Sequence, residues 1–419
     1  MNSYSEKITP ILNKIILVSL FTFAAFSMFS ISIAQIAAGV GGLAWLFRTH
    51  LTESWSEQRW PLGISFGLYV LACLIAVADA YDVGYSYPAL KKLFEILIFF
   101  WVINCVQRKR LRNSLIILLI ISATVAGLYG LYQAWQNGIH LGARVEGTMS
   151  TYMTFAGLLM IAGMLSFGRM IFRRPHEMWL WPSVAIIAVC LLFTLTRQAW
   201  FGFLTGLTFL LFTWEKKLFL IFSVSIMIVV LMFSQQVTNG IQNLVSGEPD
   251  PNNGFMWNLK YRFQDMLSGN DSTFSMRKAL WLGGWEIFKD HPLTGCGFSC
   301  VDLVHSQYPD PTGLIARLRG MHSNFIQLAV DTGILGLSAW MGIWFCFFSL
   351  LYKRVTALKG DSHERGVILG SMAAALAFLA GGFFESNFYD SEVVMLLYLV
   401  MALPFAGSTN DKIESVEKA

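Results

Sequence analysis

Ser275 to Gly336 holds three telling pieces: Arg277-Lys-Ala-Leu-Trp281, then Phe288-Lys-Asp-His-Pro-Leu-Thr-Gly-Cys-Gly-Phe298, then Met321-His-Ser-Asn-Phe-Ile-Gln327. The stretch is polar and runs into an apolar helix, within a chain of 419 residues that is 55% hydrophobic and 13% charged. Soluble domains carry roughly 25% charged residues. So few charges and so many long apolar runs define an all-α polytopic membrane protein. Such a protein keeps a long loop bearing Arg and His beside its helices when chemistry happens at the membrane surface, so this stretch separates an enzyme from a transporter. The formal charge of +4 is spread over short loops. It forms no basic patch, and no nucleic-acid partner is expected.

A spanning helix needs about 20 apolar residues, because the hydrocarbon core is roughly 30 Å thick. About 12 spans are expected on that basis, near 11–29, 31–47, 61–79, 88–106, 113–135, 148–172, 179–196, 198–214, 217–234, 322–352, 367–385 and 391–407. The chain then divides into helices at 1–234, a large and partly helical loop at 235–321 between spans 9 and 10, further helices at 322–407, and a polar tail at 408–419. The first run has no small-residue cleavage site after it and is expected to stay as a span. Trp200, Trp214 and the Glu215-Lys-Lys217 turn are read as marking membrane interfaces.

Alternating the spans from a cytoplasmic N-terminus puts most of the chain's 30 Lys and Arg on the inner side. Arg48, Arg59, Arg108 to Arg112, Arg169, Lys216, Lys353, Arg354 and Arg365 all fall there. The short outer connections hold Arg144 and Arg197, and Lys91 and Lys92 sit just inside the fourth span. This asymmetry fits the positive-inside rule, so both termini are expected in the cytoplasm and the loop at 235–321 outside. No repeat of fixed length and no paired broken helices are visible, which weighs against a transporter.

Within the loop, Met276, Leu280, Gly283/Gly284 and Ile287 follow a helical period up to Pro292, predicting an amphipathic helix on or over the bundle. Gly295 and Gly297 mark a tight corner. Cys296 and Cys300 are spaced for a local disulfide or for two thiols. Cys73, Cys105, Cys190 and Cys346 lie in or at the ends of apolar runs and read as buried small hydrophobes. No Cys or His pair completes a metal site.

Arg277 and Trp281 share a helix face, so the arginine either stacks on the indole or aims its guanidinium at a phosphate. Arg197, in Thr194-Leu-Thr-Arg-Gln-Ala-Trp200, stands at the outer ends of two spans where positive charge is otherwise avoided. It either snorkels to the interface or binds an anion. His322 opens a span directly after the loop, as a cap or as a group that takes a proton near neutral pH. Gln327 and Asp331 follow it into the apolar helix, and an intramembrane carboxylate needs a partner. Arg317 and Arg319 are solvated loop charges or attract anionic head groups, and Glu385 and Asp390 are further outer polar groups.

Taken together, Thr-Leu-Thr-Arg-Gln-Ala-Trp, Arg-x3-Trp with Phe-x2-His-Pro-Leu-x-Gly-x-Gly, and His-Ser-Asn-Phe-x-Gln-x4-Thr-Gly-Ile-Leu-Gly resemble the bacterial O-antigen ligase/polymerase family. The pattern spans roughly 194–336. The expected spans and the long loop extend the likeness over nearly the whole chain, which looks most like the ligases. The resemblance implies a glycosyltransferase of the inner membrane with its site facing the periplasm. The donor would be an O-antigen glycan on undecaprenyl pyrophosphate, and the acceptor a sugar hydroxyl of lipid A–core. The reaction would be inverting, with no metal and no cofactor. By motif position His322 matches the general base, and Arg197 and Arg277 match the pyrophosphate-binding arginines. Trp281, Gln327, Arg317 and Arg319 are possible supporting residues. O-antigen polymerase, with a lipid-linked glycan as acceptor, is the second reading. A lipid-linked glycan flippase is the reading from another class; it expects charges along a central path, whereas here they concentrate at the outer ends of the spans.

Overall fold

A computed structural model of the chain describes residues 3–138, 144–172, 177–224, 272–358 and 362–407. These residues are all-helical. The principal helices are α1 (Ser3–Phe26), α2 (Ile31–Leu51), α3 (Gly63–Ala78), α4 (Ile96–Cys105), α5 (Lys109–Asn137), α6 (Tyr152–Ile171), α7 (Leu180–Phe193) and α8 (Arg197–Trp214). They continue with α9 (Ser272–Asp290), α10 (Asn324–Ala357), α11 (Ser362–Gly381) and α12 (Ser391–Ala402).

Among the described residues, six helices are long and apolar enough to cross a membrane: α1, α2, α5, α6, α10 and α11. α3, α7 and the segment Ser391–Phe405 are apolar but shorter. The expected fourth span differs from the sequence reading. Its first half, Tyr87–Glu95, is a 3-10 helix with Pro88 in its first turn, and only the ten residues of α4 are α-helical. The 3-10 residues, at about 2.0 Å each, run straight into α4, at about 1.5 Å each, so the stretch keeps roughly the length of a hydrocarbon core with a tighter first half. Lys91, Lys92 and Glu95 explain the break, because Lys92 turns inward to donate to the Tyr389 carbonyl. Most of the expected ninth span, and the loop from 235 to 271, lie outside the described residues.

The apolar pattern separates inner from outer helices. Every residue from Val393 to Ala402 is buried, as is every residue from Thr154 to Ser166. A helix that is apolar on all sides belongs in the middle of a bundle, and α6, α11 and α12 form that middle. α11 packs against α6 and α8, and α12 against α4 and α6. Small residues allow the close approach: a Cβ on Gly168 of α6 would lie 2.6 Å from the Gly370 Cα. α1, α2 and α3 instead expose Val18, Ile36, Leu43 and Ile64, as lipid-facing helices do.

The two ends of α12 are chemically different. Near its last turn, Arg112 forms a two-pronged pair with Glu364 at 2.8 and 2.6 Å and also donates to the Ala406 carbonyl. Arg59 donates to the carbonyls of Ile103 and Phe405, and Arg354 to that of Pro404. Three arginines expected on one side therefore meet at one end of the bundle. The Arg277 and His322 contacts lie at the other end, just before α12 begins. Trp200 departs from the interface reading: it is buried and its indole donates to the Leu191 carbonyl, tying α8 to the end of α7, whereas Trp214 is exposed.

α10 is broken at Gly333, where φ is 61° and ψ −164°. The Pro292–Gly297 corner fills the break. Ile334 and Leu335 donate to the carbonyls of Pro292 and Leu293, while Cys296 and Gly297 donate to those of Val330 and Asp331. Backbone groups released inside a membrane must be satisfied by protein, and these four bonds do so. Both glycines are required by the fit. A Cβ on Gly333 would lie 2.3 Å from the Leu293 carbonyl carbon, and one on Gly295 2.4 Å from that of Asp331. The Gly333 conformation is open almost only to glycine, and strained backbone costs about 1–3 kcal/mol. Gly333→Ala or Gly295→Ala is therefore expected to lower the melting temperature of the detergent-purified protein by roughly 5 °C or more. An unchanged melting curve would show that the corner and helix are not fastened as described.

Candidate functional site

Three parts of the chain converge on the segment from Gly381 to Tyr389. α9 reaches it through Arg277, whose Nε donates to the Phe384 carbonyl at 2.9 Å. Trp281, one turn on, donates its indole N–H to the Met321 carbonyl at 3.0 Å, and its ring lies 6.1 Å from that of Phe384. α8 reaches the segment through Gln198, whose amide is 3.5 Å from Glu385 Oε2. The start of α10 reaches it through Asn324, which bonds the Gly382 carbonyl, the Asn387 side chain and the Phe388 N–H.

His322 sits within this convergence. Its Nδ1 is 3.3 Å from Glu385 Oε1, with side-chain exposures of 25% and 14%, so the pair is sheltered but open to a ligand. A carboxylate on one ring nitrogen fixes the tautomer. With Nδ1 facing Glu385, Nε2 is the nitrogen left to take a proton.

The histidine adopts φ 47°, a left-handed conformation that costs a non-glycine residue energy. A buried chain of hydrogen bonds holds its neighbour in place. The Met321 N–H donates to Gln327 Oε1 at 2.9 Å, the Gln327 amide donates to Asp331 at 3.0 Å, and the Tyr389 hydroxyl donates to the other Asp331 oxygen at 2.6 Å. Gln327 and Tyr389 are thus the partners that the Asp331 carboxylate needs.

Arg197 is the first residue of α8, half-buried, with Thr196 as its N-cap. Arg144 joins it. Its guanidinium stacks 4.3 Å from the Tyr152 ring centroid, and its Nε is buried without a hydrogen-bond partner. Burial lowers the Arg144 pKa below the ordinary arginine value, Tyr152 opposes this, and the nearby charge of Arg197 adds to the lowering. Two like charges near enough to act on one another favour an anion nearby.

The remaining predicted residues lie further out. Arg317 is exposed on the short helix Leu314–Leu318. Arg319, just after it, is 3.7 Å from Asp302, which also accepts the Tyr85 hydroxyl at 2.8 Å. These contacts knit the loop to itself and to the segment before α4. Cys296 and Cys300 are disulfide-bonded in the corner, and Cys73 and Cys190 are buried thiols. Sequence reasoning found Glu385 only as an outer polar group. Its pairing with His322 spans 63 residues and left one signal, an acid placed where an apolar run ends.

The arrangement is that of a polytopic helical membrane protein with His322, Glu385 and Arg277 gathered at one end of the bundle. Residues 182–341 match the family described as O-Antigen ligase. The matched stretch runs from α7 into α10 and includes Arg197, Arg277 and His322, while Glu385 lies beyond it. No curated protein matches the chain.

Proposed function

We propose that the protein is an O-antigen ligase that transfers a glycan from undecaprenyl pyrophosphate to a sugar hydroxyl of lipid A–core. The observation that carries this reading is the His322–Glu385 pair set one residue from the carbonyl that receives Arg277. His322 takes the proton of the acceptor hydroxyl as that oxygen attacks the anomeric carbon, and the attack inverts the centre. Negative charge grows on the departing pyrophosphate. Arg197 and Arg277, with Arg144 beside the first, stabilise it through fixed guanidiniums. Trp281 and Gln327 hold the residues flanking the histidine, and Arg317 and Arg319 attract anionic head groups at the outer surface.

In this reading the chain crosses the inner membrane about 12 times, both termini are cytoplasmic, and the loop at 235–321 is periplasmic. Two observations support that orientation. Arg59, Arg112 and Arg354 gather at the end of α12 away from His322, in keeping with the positive-inside rule. The Cys296–Cys300 disulfide lies at the His322 end, and disulfides persist in oxidising compartments such as the periplasm.

The reading is tested by reconstituting the protein with a defined lipid-linked glycan and either lipid A–core or only further lipid-linked repeat units. Product on lipid A–core is expected. Elongation of the lipid-linked glycan alone would make the protein a polymerase, and movement of the donor across the bilayer without transfer would make it a flippase. Transfer is also expected to keep its full rate in EDTA. Loss of activity that Mg²⁺ restores would overturn the metal-independent chemistry.

A further inference from the structure

One cavity adjoins the segment that holds Glu385, and a second shares a wall with the first. The first, about 240 Å³, is lined by aromatic and polar groups including Tyr69, Phe388 and Tyr389. The second, about 460 Å³, runs between α2 and α4 and is walled largely by apolar groups such as Leu43, Leu97 and Met395. Lys91, Lys92 and Glu95 border both. A polar aromatic chamber thus meets an apolar groove at a rim of two lysines and a glutamate.

Three observations say that this space is for an occupant. The first is the glycine pattern of α2: a Cβ on Gly39 or Gly42 would meet nothing within 4 Å, whereas one on Gly41 would lie 2.2 Å from Trp101. One side of the helix is packed tight and the groove side is kept open. The second concerns charge. Lys92 is committed to the Tyr389 carbonyl and lies 5.5 Å over that ring, with Glu95 and Asp390 close enough to act on it. Lys91 is exposed and is the cation left at the rim. It stands on the side of the membrane where the sequence otherwise carries few positive residues. The third is continuity: Phe388 and Tyr389 belong to the segment whose Glu385 meets His322. Neither Arg197 nor Arg277 lines either cavity.

Hydrocarbon groove, cationic rim and aromatic chamber match, in that order, an acyl chain, a phosphate and a sugar, the parts of a phosphorylated glycolipid. We propose that the two cavities form the binding site for the lipid acceptor. A hydrocarbon chain lies beside Gly39 and Gly42, a phosphate is held at Lys91, and the sugar chain is led past Phe388 and Tyr389 towards His322. This assignment rests on the transfer reading above and gives the acceptor a place separate from the arginines.

The test measures binding of lipid A–core to the purified full-length protein by native mass spectrometry, with phosphatidylglycerol as competitor. Gly42→Phe fills the groove, Lys91→Glu reverses the rim charge, and Lys91→Arg keeps it. Gly42→Phe and Lys91→Glu are each expected to weaken lipid A–core binding about tenfold or more, while Lys91→Arg binds like wild type. Undecaprenyl pyrophosphate binding should be unaffected in all three, and melting curves of the variants report on folding. Wild-type affinity in a folded Lys91→Glu variant, no binding by wild type, or displacement by an equal concentration of phosphatidylglycerol would overturn the site. The two readings fail separately. Binding that responds as stated in a protein that transfers no glycan sinks the reaction and leaves the site. Transfer with binding indifferent to the substitutions sinks the site alone.

Discussion

His322→Ala is expected to reduce glycan transfer by about two to four orders of magnitude, the range for a general base, while the protein still inserts and melts normally. The histidine side chain is 25% exposed and stands at the mouth of α10, so its loss removes chemistry before stability. Glu385→Gln is the informative companion. It keeps a hydrogen-bonding group against Nδ1 but removes the carboxylate that fixes the tautomer, and it should fall between wild type and His322→Ala. The measurement is initial rate in the reconstituted assay at saturating donor and acceptor, beside a melting curve for each variant. Normal transfer by His322→Ala would remove the base from the mechanism outright.

Arg197→Lys is expected to lose about 10²- to 10³-fold in rate, comparable to removing one fixed donor from an anion-stabilising site. Lysine keeps the charge but loses the planar fork that binds two phosphate oxygens at once. Residual rate should be compared with Arg197→Ala. If the two variants fail alike, the fork is what matters. Full activity in Arg197→Lys would mean that the residue only supplies charge or anchors the first turn of α8. Product analysis by gel mobility of the glycolipid reads both outcomes directly.

Much of this molecule was legible in its sequence. Apolar runs of span length, the period through Met276, Leu280 and Ile287, and the glycines around Cys296 each follow from local physics: backbone groups that must be satisfied within a segment, one buried face, and turns that exclude a side chain. α9 and the 292–297 corner appear in the structure as those patterns require. The fourth span was not readable in the same way. Its Lys91-Lys92 pair scored as a small interruption in an apolar run, and only the distant Tyr389 carbonyl explains why the chain tightens there.

At the site, the arginines and the histidine announced themselves by being polar in the wrong places. Their companions did not. Glu385 meets His322 across 63 residues and Tyr389 meets Asp331 across 58, so no periodicity or spacing connects them. Trp200 shows the converse error. An indole near the end of an apolar run has the composition of an interface anchor, but its neighbours turn it inward to the Leu191 carbonyl.

The fastening of the 292–297 corner into the break in α10 also limits how related chains can differ. Its four backbone bonds pair Pro292, Leu293, Cys296 and Gly297 with Ile334, Leu335, Val330 and Asp331, and each fixes the register of the next. One residue gained or lost on either side would slide the whole set and carry Asp331 away from Gln327 and Tyr389. The two short stretches therefore form a ruler of constant length between the loop and α10. Insertions that lengthen the loop must accumulate upstream of α9 or around the exposed Arg317 turn.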